Sequence, residues 1–411
     1  MRRGGRNYYA LDVSDRTNPK IKWVISGGSG NFEELGETWS EPLRSRIKVD
    51  DGVKDVLIFS GGYDRSQDEK NERFPDNVGR AIYIVDAESP DNQYWVGTGN
   101  PLDSSSAGEF FPNMEYSFPT DLSVVTNGND GLASQIYASD VGGRIWRFDI
   151  NNGESGADLV DGGIIADLAA DANPIEARRF FHPPDLSLTR LNGKLTLNIG
   201  IGSGYQAHPL DTTISDNYHM IRYPFDASGN YGIVDKTTGL FRPVKIDDLF
   251  DTTDNLIGEG TPEQQDTAAL ALAEKQGWYI KKLRAGEKIL GASATLDNVV
   301  RYVTYVPGFS GDGCSPNIGQ SFFWAVNLEN GTPASGLIDD TTADATSTPD
   351  PLKAKDRYIE IPGGGLAPPV KTLFVTDGTT VTPTDVTGVN VVRTANGTEL
   401  IKKWFWSEYP E

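Results

Sequence analysis

The stretch TNGNDGLASQIYASDVGGRIWRFDI, Thr126 to Ile150, decides how this chain is read. Its second half holds two short runs of β-branched and aromatic residues on either side of Asp140-Val141-Gly142-Gly143. That pattern is a β-hairpin turning at Gly142-Gly143, with Ile145 and Phe148 as expected packing residues. Its first half has the shape of a calcium loop. Such loops set oxygen ligands at alternating positions and a glycine where the chain turns sharply. Aligning Asp130-Gly131 with that turn puts Thr126 first, Gly128 third and Ser134 ninth. Asp130 is then the one carboxylate, and Gly128 offers only its carbonyl. Two readings stay open: a weak calcium site, or a structural turn in which Asp130 bonds local backbone amides.

Outward from this hairpin, one pattern recurs. A short aromatic or β-branched strand ends in Asp or Asn and is followed by a turn. It occurs near Asp12, Asp86, Asp149, Asp226 and Asn327, at intervals of 74, 63, 77 and 101 residues. Regular propeller blades repeat at about 40–45 residues, so these repeats carry insertions. Alternating apolar residues line one strand face, and the polar residue opens the turn. A small sheet cannot bury both faces alone, whereas sheets stacked around an axis can. The fold expected is all-β: a modified β-propeller with inserted loops, one domain over residues 1–411. A β-sandwich with ordinary hairpins is the alternative.

One helix interrupts the strands, expected near 261–276 in GTPEQQDTAALALAEKQG. Thr261 is the N-cap, Pro262 the first helical residue, Gln264 the capping-box partner, and Gly277 the stop. Two stretches read as surface loops: Gly61 to Asn77, densely charged, and Leu337 to Pro351, rich in Asp, Thr and Pro.

The 411 residues carry a formal net charge of −21. Nucleic-acid binding needs clustered Lys and Arg, so it is disfavoured, as is binding to anionic membrane surfaces. No run of about 18 apolar residues exists to span a membrane. One cysteine, Cys314, rules out an intramolecular disulfide. One Cys and three His argue against a zinc site on count alone. The first residues, MRRGGRNYYALDVSD, are basic and lack the apolar core of a signal peptide. They read as the approach to a strand, as if the chain opens mid-fold.

The remaining motifs carry little chemistry. NIGIGSGYQAHP has three glycines, but Pro209 discourages the helix that a dinucleotide fingerprint requires, so it reads as a strand ending in a Gly-rich turn. His182, His208 and His219 are scattered and read as structural or surface residues. Cys314 has no base assigned to it and reads as an ordinary thiol. In the Gly61–Asn77 loop, Asp64, Asp68, Glu69, Glu72 and Asp76 alternate with Arg65, Lys70 and Arg73. It reads as a solvated, internally paired loop, and is the second place to look for a cation.

Several motifs follow in order: GGRNYYALDVSD, LGETWSEPLRSRI, DVLIFSGGY, DGLASQIYASDVGGRIWRFDI, GWYIKKLRAGEKIL, VRYVTYVPG with Cys314, and GGGLAPP. This ordered set, spanning nearly the whole chain, resembles the C-terminal β-propeller of PilY-type proteins of type IV pili. The resemblance implies an exported, non-enzymatic protein of the periplasm, outer surface or pilus tip of a Gram-negative bacterium. Its implied partners are minor pilins or the pilus-tip complex, together with a host or abiotic surface, and its implied roles are pilus biogenesis, balancing extension against retraction, and adhesion. It also implies a calcium loop, D-x-[DN]-x-D-G-x-x-D, where Thr126 to Ser134 stand. Residue by residue, Asp130 and Gly131 match, while Thr126, Gly128 and Ser134 depart. Family members carry further blades before the GGRNYYALDV equivalent, so an open stack of roughly five sheets is expected. Two other readings share the repeat. A PQQ-dependent quinoprotein dehydrogenase uses adjacent cysteines, which a single cysteine argues against. The other is a generic protein-binding propeller.

Overall fold

The computed structural model describes residues 4–394 apart from 70–71, 102–106, 127, 170–175, 192, 225–232, 235–237, 283, 309–317, 335–352, 363, 377–380 and 388–389. Cys314 and the Leu337–Pro351 loop lie outside the described residues.

The chain opens with an antiparallel ribbon of β1 (Asn7–Asp12) and β2 (Lys20–Ser26). Sheet A follows in sequence order: β3 (Leu43–Val49), β4 (Gly52–Ser60), β5 (Ala81–Asp86), β6 (Gln93–Thr98) and β7 (Gly108–Phe110). Sheet B is β8 (Ser123–Thr126), β9 (Ala133–Ser139), β10 (Arg144–Ile150) and β11 (Val160–Asp167). Sheet C begins with β12 (Asp185–Leu191), β13 (Lys194–Gly202) and β14 (Asn217–Pro224). A two-stranded excursion, β15 (Ile233–Val234) and β16 (Phe241–Arg242), leads to β17 (Val244–Lys245), which returns to sheet B and pairs in parallel with β11. Then β18 (Phe250–Asp251), α1 (Leu256–Glu259), α2 (Pro262–Ala273) and β19 (Gly277–Lys281) complete sheet C, in the order β12-β13-β14-β19-β18. In sheet D, β20 (Lys288–Ile289) and β21 (Ala294–Leu296) both pair with β22 (Val299–Val306), followed by β23 (Gln320–Asn327) and β24 (Tyr358–Glu360). A last meander holds β25 (Lys371–Thr376), β26 (Val381–Thr387) and β27 (Asn390–Thr394). The strands of the five repeats therefore fall in five different sheets, the ribbon and sheets A to D, while Asp226 itself lies outside the described residues.

The sheets pack face to face in chain order because their middle strands are apolar on both sides. Side chains alternate across a strand with period two. In β10, Trp146, Phe148 and Ile150 share a core with Ile58, Ile84 and Trp95 of sheet A. Their neighbour Ile145 shares one with Leu197, Ile199 and Ile201 of sheet C. The expected packing residues Ile145 and Phe148 are both fully buried, on opposite faces. In β14, Ile221 and Tyr223 face sheet B while Tyr218 and Met220 face Tyr302 and Trp324 of sheet D. In β5, Ile82 and Ile84 face sheet B, and Tyr83 and Val85 face Tyr8 and Ile25 of the ribbon. Each such side chain contributes about 1.5–3 kcal/mol by leaving water, so the boundaries between sheets hold the fold together.

The two ends of the stack differ. The outer face of sheet D, with Val303, Phe323 and Ala325, is covered by Ile361 and Val370. Among the described residues, nothing covers the outer face of the ribbon: Tyr9 stands opposite Val24 and Leu11 opposite Ile21, and all four are exposed.

The helix has the expected start. Thr261 Oγ1 accepts from the Gln264 amide, and Gln264 Oε1 accepts from the Thr261 amide. Its end is a correction: α2 stops at Ala273 with Glu274 as C-cap, and Gly277 instead opens β19. A Cβ on Gly277 would stand 1.9 Å from the Met220 carbonyl oxygen, so this glycine serves close strand approach.

Candidate functional site

The calcium-loop position is the connection between β8 and β9. Thr126 ends β8 and pairs with Ala133, with a register shift after Val125. Asp130 Oδ1 accepts from the Leu132 amide at 2.9 Å, an Asx-type turn that uses the carboxylate locally. Gly131 follows at φ +66°, a left-handed conformation that favours glycine. Ser134 donates its hydroxyl to the Val125 carbonyl at 3.1 Å. A Cβ on Gly128 would meet nothing within 4 Å beyond its chain neighbours. The structure thus brings the four residues onto one hairpin, with a single carboxylate among them. Among the described residues, no group of three or more His, Cys, Asp or Glu side chains could hold a metal ion. A hard cation needs six to eight oxygens and more than one carboxylate to compete with water. These residues do not fit calcium.

Polar bonds tie this hairpin to the neighbouring sheet. Arg46 of β3 donates through Nη2 to the Asp130 carbonyl at 3.3 Å. On the same strand, the Lys48 amide donates to Asn152 Oδ1 at 2.6 Å, and the Gly153 amide donates to the Lys48 carbonyl at 2.9 Å. Asn152 Nδ2 donates in turn to the Ala133 carbonyl, at the start of β9, at 2.8 Å. Sheet A therefore grips both turns at this end of sheet B.

The second cation candidate, Gly61 to Asn77, departs from the solvated loop expected. Asp64 and Asp76 are buried. Asp64 accepts from the Ser66 and Asn77 amides at 2.8 and 2.7 Å. Asp76 accepts from Gln67 Nε2 and from the Ser117 amide at 2.7 and 2.6 Å. Tyr63 donates to Asp68 at 2.8 Å, and Arg73 pairs with Asp167 at 2.7 Å. The carboxylates are turned inward because buried backbone amides need acceptors. Burial pushes Asp76 up to about 7 despite these bonds. The loop packs beside an aromatic cluster of Tyr63, Tyr116, Phe181 and Tyr205, built from turns leaving sheets A, B and C.

The hairpin turn itself is held by a residue that sequence reading passed over. Asp140 is fully buried. Its Oδ1 accepts from the Gly142 and Arg144 amides and its Oδ2 from the Trp146 indole. Burial pushes it up to about 6, with Arg144 opposing. A cavity of about 500 Å³ lies where β8 meets β12, lined by Val124, Val125, Thr126, Pro184, Asp185 and Ser293 among others. Asp185 accepts from Thr295 Oγ1 there at 2.6 Å, and burial raises it to about 6.

The histidines do not converge. His219 is fully buried against Phe180 and Tyr279 and kept neutral by desolvation. His208 is half-exposed, with Nε2 3.8 Å from Asp68. NIGIGSGY forms β13 and the turn after it, as expected.

Sheets stacked in chain order, each buried on both sides by its neighbours, define a propeller-type architecture. Comparison with known proteins makes the likeness specific. No family model matches the chain. It is 25% identical over 354 residues, 82% of its length, to a type IV pilus biogenesis factor PilY1 homolog of Xylella fastidiosa, and spans 22% of that protein. It is 27% identical over 165 residues to type IV pilus biogenesis factor PilY1 of Pseudomonas aeruginosa, covering 38% of this chain and 11% of that one. In fold it is similar to the crystal structure of the Pseudomonas aeruginosa PilY1 C-terminal domain. The TM-score is 0.60 at 16% identity, covering 96% of this chain and 79% of that one. The resemblance to a PilY-type C-terminal domain, read from the ordered motifs, stands in both sequence and fold.

Proposed function

We propose that this chain is a non-enzymatic module of type IV pilus biogenesis. It binds minor pilins or the pilus-tip complex, contacts host or abiotic surfaces, and thereby shifts the balance between pilus extension and retraction. Its place is the periplasm, outer surface or pilus tip. The observation that carries this reading is the similarity to a PilY1 homolog over 82% of the chain, supported by the fold likeness over 96% of it. The use of the buried acids favours binding over catalysis. Asp64, Asp76 and Asp140 each spend their oxygens on backbone amides, a glutamine side-chain amide or an indole inside the fold, which suits structural acids rather than a general base aimed at a substrate. Among the described residues, no helix is long and apolar enough to cross a membrane.

The test is genetic and biochemical. Deleting the region from Asn7 to Thr394 in the host should lower surface piliation and twitching, with restoration by the wild-type gene. The purified chain should retain a minor pilin in a pull-down. Added pyrroloquinoline quinone with calcium should give no dye reduction with alcohols. Normal piliation and twitching in the deletion strain would sink the proposal, and quinone-dependent turnover would replace it with the dehydrogenase reading.

A further inference from the structure

A hard cation in the β8–β9 connection would have to sit at Asp130, the one carboxylate between Thr126 and Ser134. That corner already carries a positive charge of the protein's own. The Arg46 Nη2 that donates to the Asp130 carbonyl lies only 2.9 Å from where a Cβ on residue 131 would stand. Arg46 reaches this place from sheet A, 84 residues away in sequence. Its Nε is buried without a hydrogen-bond partner, and no carboxylate among the described residues pairs with it. Its guanidinium instead donates to the loop's backbone oxygen. Glycine at 131 permits the approach twice over, by its left-handed φ and by its missing side chain.

We infer that Arg46 is the resident cation of this loop: a guanidinium carried by the neighbouring sheet does the bridging that a bound calcium ion would otherwise do. A metal ion entering beside it would meet like-charge repulsion with one carboxylate to offset it. A tethered cation is present at any external calcium concentration, so the loop stays shut in calcium and in chelator alike. The Lys48–Asn152–Ala133 bonds extend the same grip along the boundary. This inference is independent of the pilus role and survives if that role fails.

The test is hydrogen exchange over Thr126–Ser134 in the full chain, with millimolar calcium and with chelator, alongside calorimetric calcium titration. Wild type should give identical exchange in both buffers and no binding heat. Arg46→Met should speed exchange in this segment roughly five- to tenfold in both buffers, while sheets C and D keep their protection. Arg46→Lys keeps the charge but loses the planar fork, so it should fall between the two and serves where the Met variant fails to fold. Micromolar calcium binding by wild type that Asp130→Asn abolishes would overturn the inference. So would unchanged loop exchange in a folded Arg46→Met or Arg46→Lys variant.

Discussion

Asp140 and Trp146 close the hairpin between β9 and β10 upon itself: the carboxylate Oδ2 accepts the indole N–H at 2.9 Å, six residues on. The other oxygen takes the Gly142 and Arg144 amides at 2.9 and 3.0 Å. Asp140→Ala leaves three donors inside the fold without this acceptor. The expected cost is about 2–4 kcal/mol, since buried donors left unsatisfied lose their full desolvation energy. Asp140→Asn, which keeps one acceptor oxygen, should cost about half as much. Urea unfolding followed by tryptophan fluorescence checks both, and equal stability of the Ala variant and wild type would contradict the account.

Two glycines separate packing from backbone strain. A Cβ on Gly142 would stand 2.1 Å from a ring carbon of Tyr116. Tyr116 cannot yield freely, because the Arg73 and Arg144 guanidiniums lie over its ring at 5.0 and 4.6 Å. Gly193, between β12 and β13, has φ +79° and open space around it. Gly142→Ala should therefore cost about 2–3 kcal/mol through overpacking, and Gly193→Ala about 1 kcal/mol through backbone strain alone. Paired thermal melts decide it, and a reversed order would contradict the packing argument.

What was legible in the sequence follows from which interactions are local. The alternation of β10, the turn acid and the capping box act within a few residues, so strands, hairpin and helix start could be read directly. The sequence also carries a second signal. Tyr83, Trp146 and Trp324 each stand three residues before the acid or amide of their repeat, and each is fully buried. That spacing marks the side chain that fills a sheet boundary. The inward-turned Asp64 and Asp76 were not legible, because their partners Asn77 and Ser117 come from separate turns that only the fold brings together. Arg46 beside Asp130 was hidden for the same reason: one charged residue on an ordinary strand has no periodic mark, and the contact exists only once sheets A and B stack. The helix reads longer in sequence than in the structure because a glycine at 277 marks a stop locally, whereas its close approach to Met220 exists only in the fold.

The buried acids set the pH dependence. Unfolded aspartates titrate near pH 4, whereas burial raises Asp76 to about 7 and Asp140, Asp185 and Asp216 to about 6. From about pH 4 to 7 the folded state keeps protons that the unfolded state has lost, so stability falls as pH rises through that window. Two buried bases run the other way: His219, kept neutral by burial, offsets part of that fall below about pH 6.5, and Lys282 is pushed down to about 7, so above that pH the unfolded state holds the extra proton and stability recovers. The urea midpoint should be higher near pH 5 than near pH 7, and Asp76→Asn should flatten the difference. A midpoint that rises steadily from pH 5 to 7 would refute the assignment.

The bare ribbon face sets the behaviour of the isolated chain. Tyr8 and Ile25 carry the packing of β1 and β2 onto sheet A, in one core with Phe59 and Tyr83. Tyr9, Leu11, Ile21 and Val24 point away from it and are exposed. An exposed apolar strip on a two-stranded ribbon is a template for self-association. Leu11→Lys with Ile21→Thr should lower concentration-dependent light scattering of the purified chain. Because neither side chain belongs to the core, the melting temperature should move by no more than that of an ordinary surface change, roughly 0.5 kcal/mol in stability. Tyr8→Ala is the contrasting variant: it empties a core position and removes the hydroxyl that donates to the Ser40 carbonyl at 2.7 Å, so it should cost about 3–5 kcal/mol. If the surface pair lowers stability as much as Tyr8→Ala does, the outer face is packed against something in the chain and the asymmetry between the two ends of the stack is wrong.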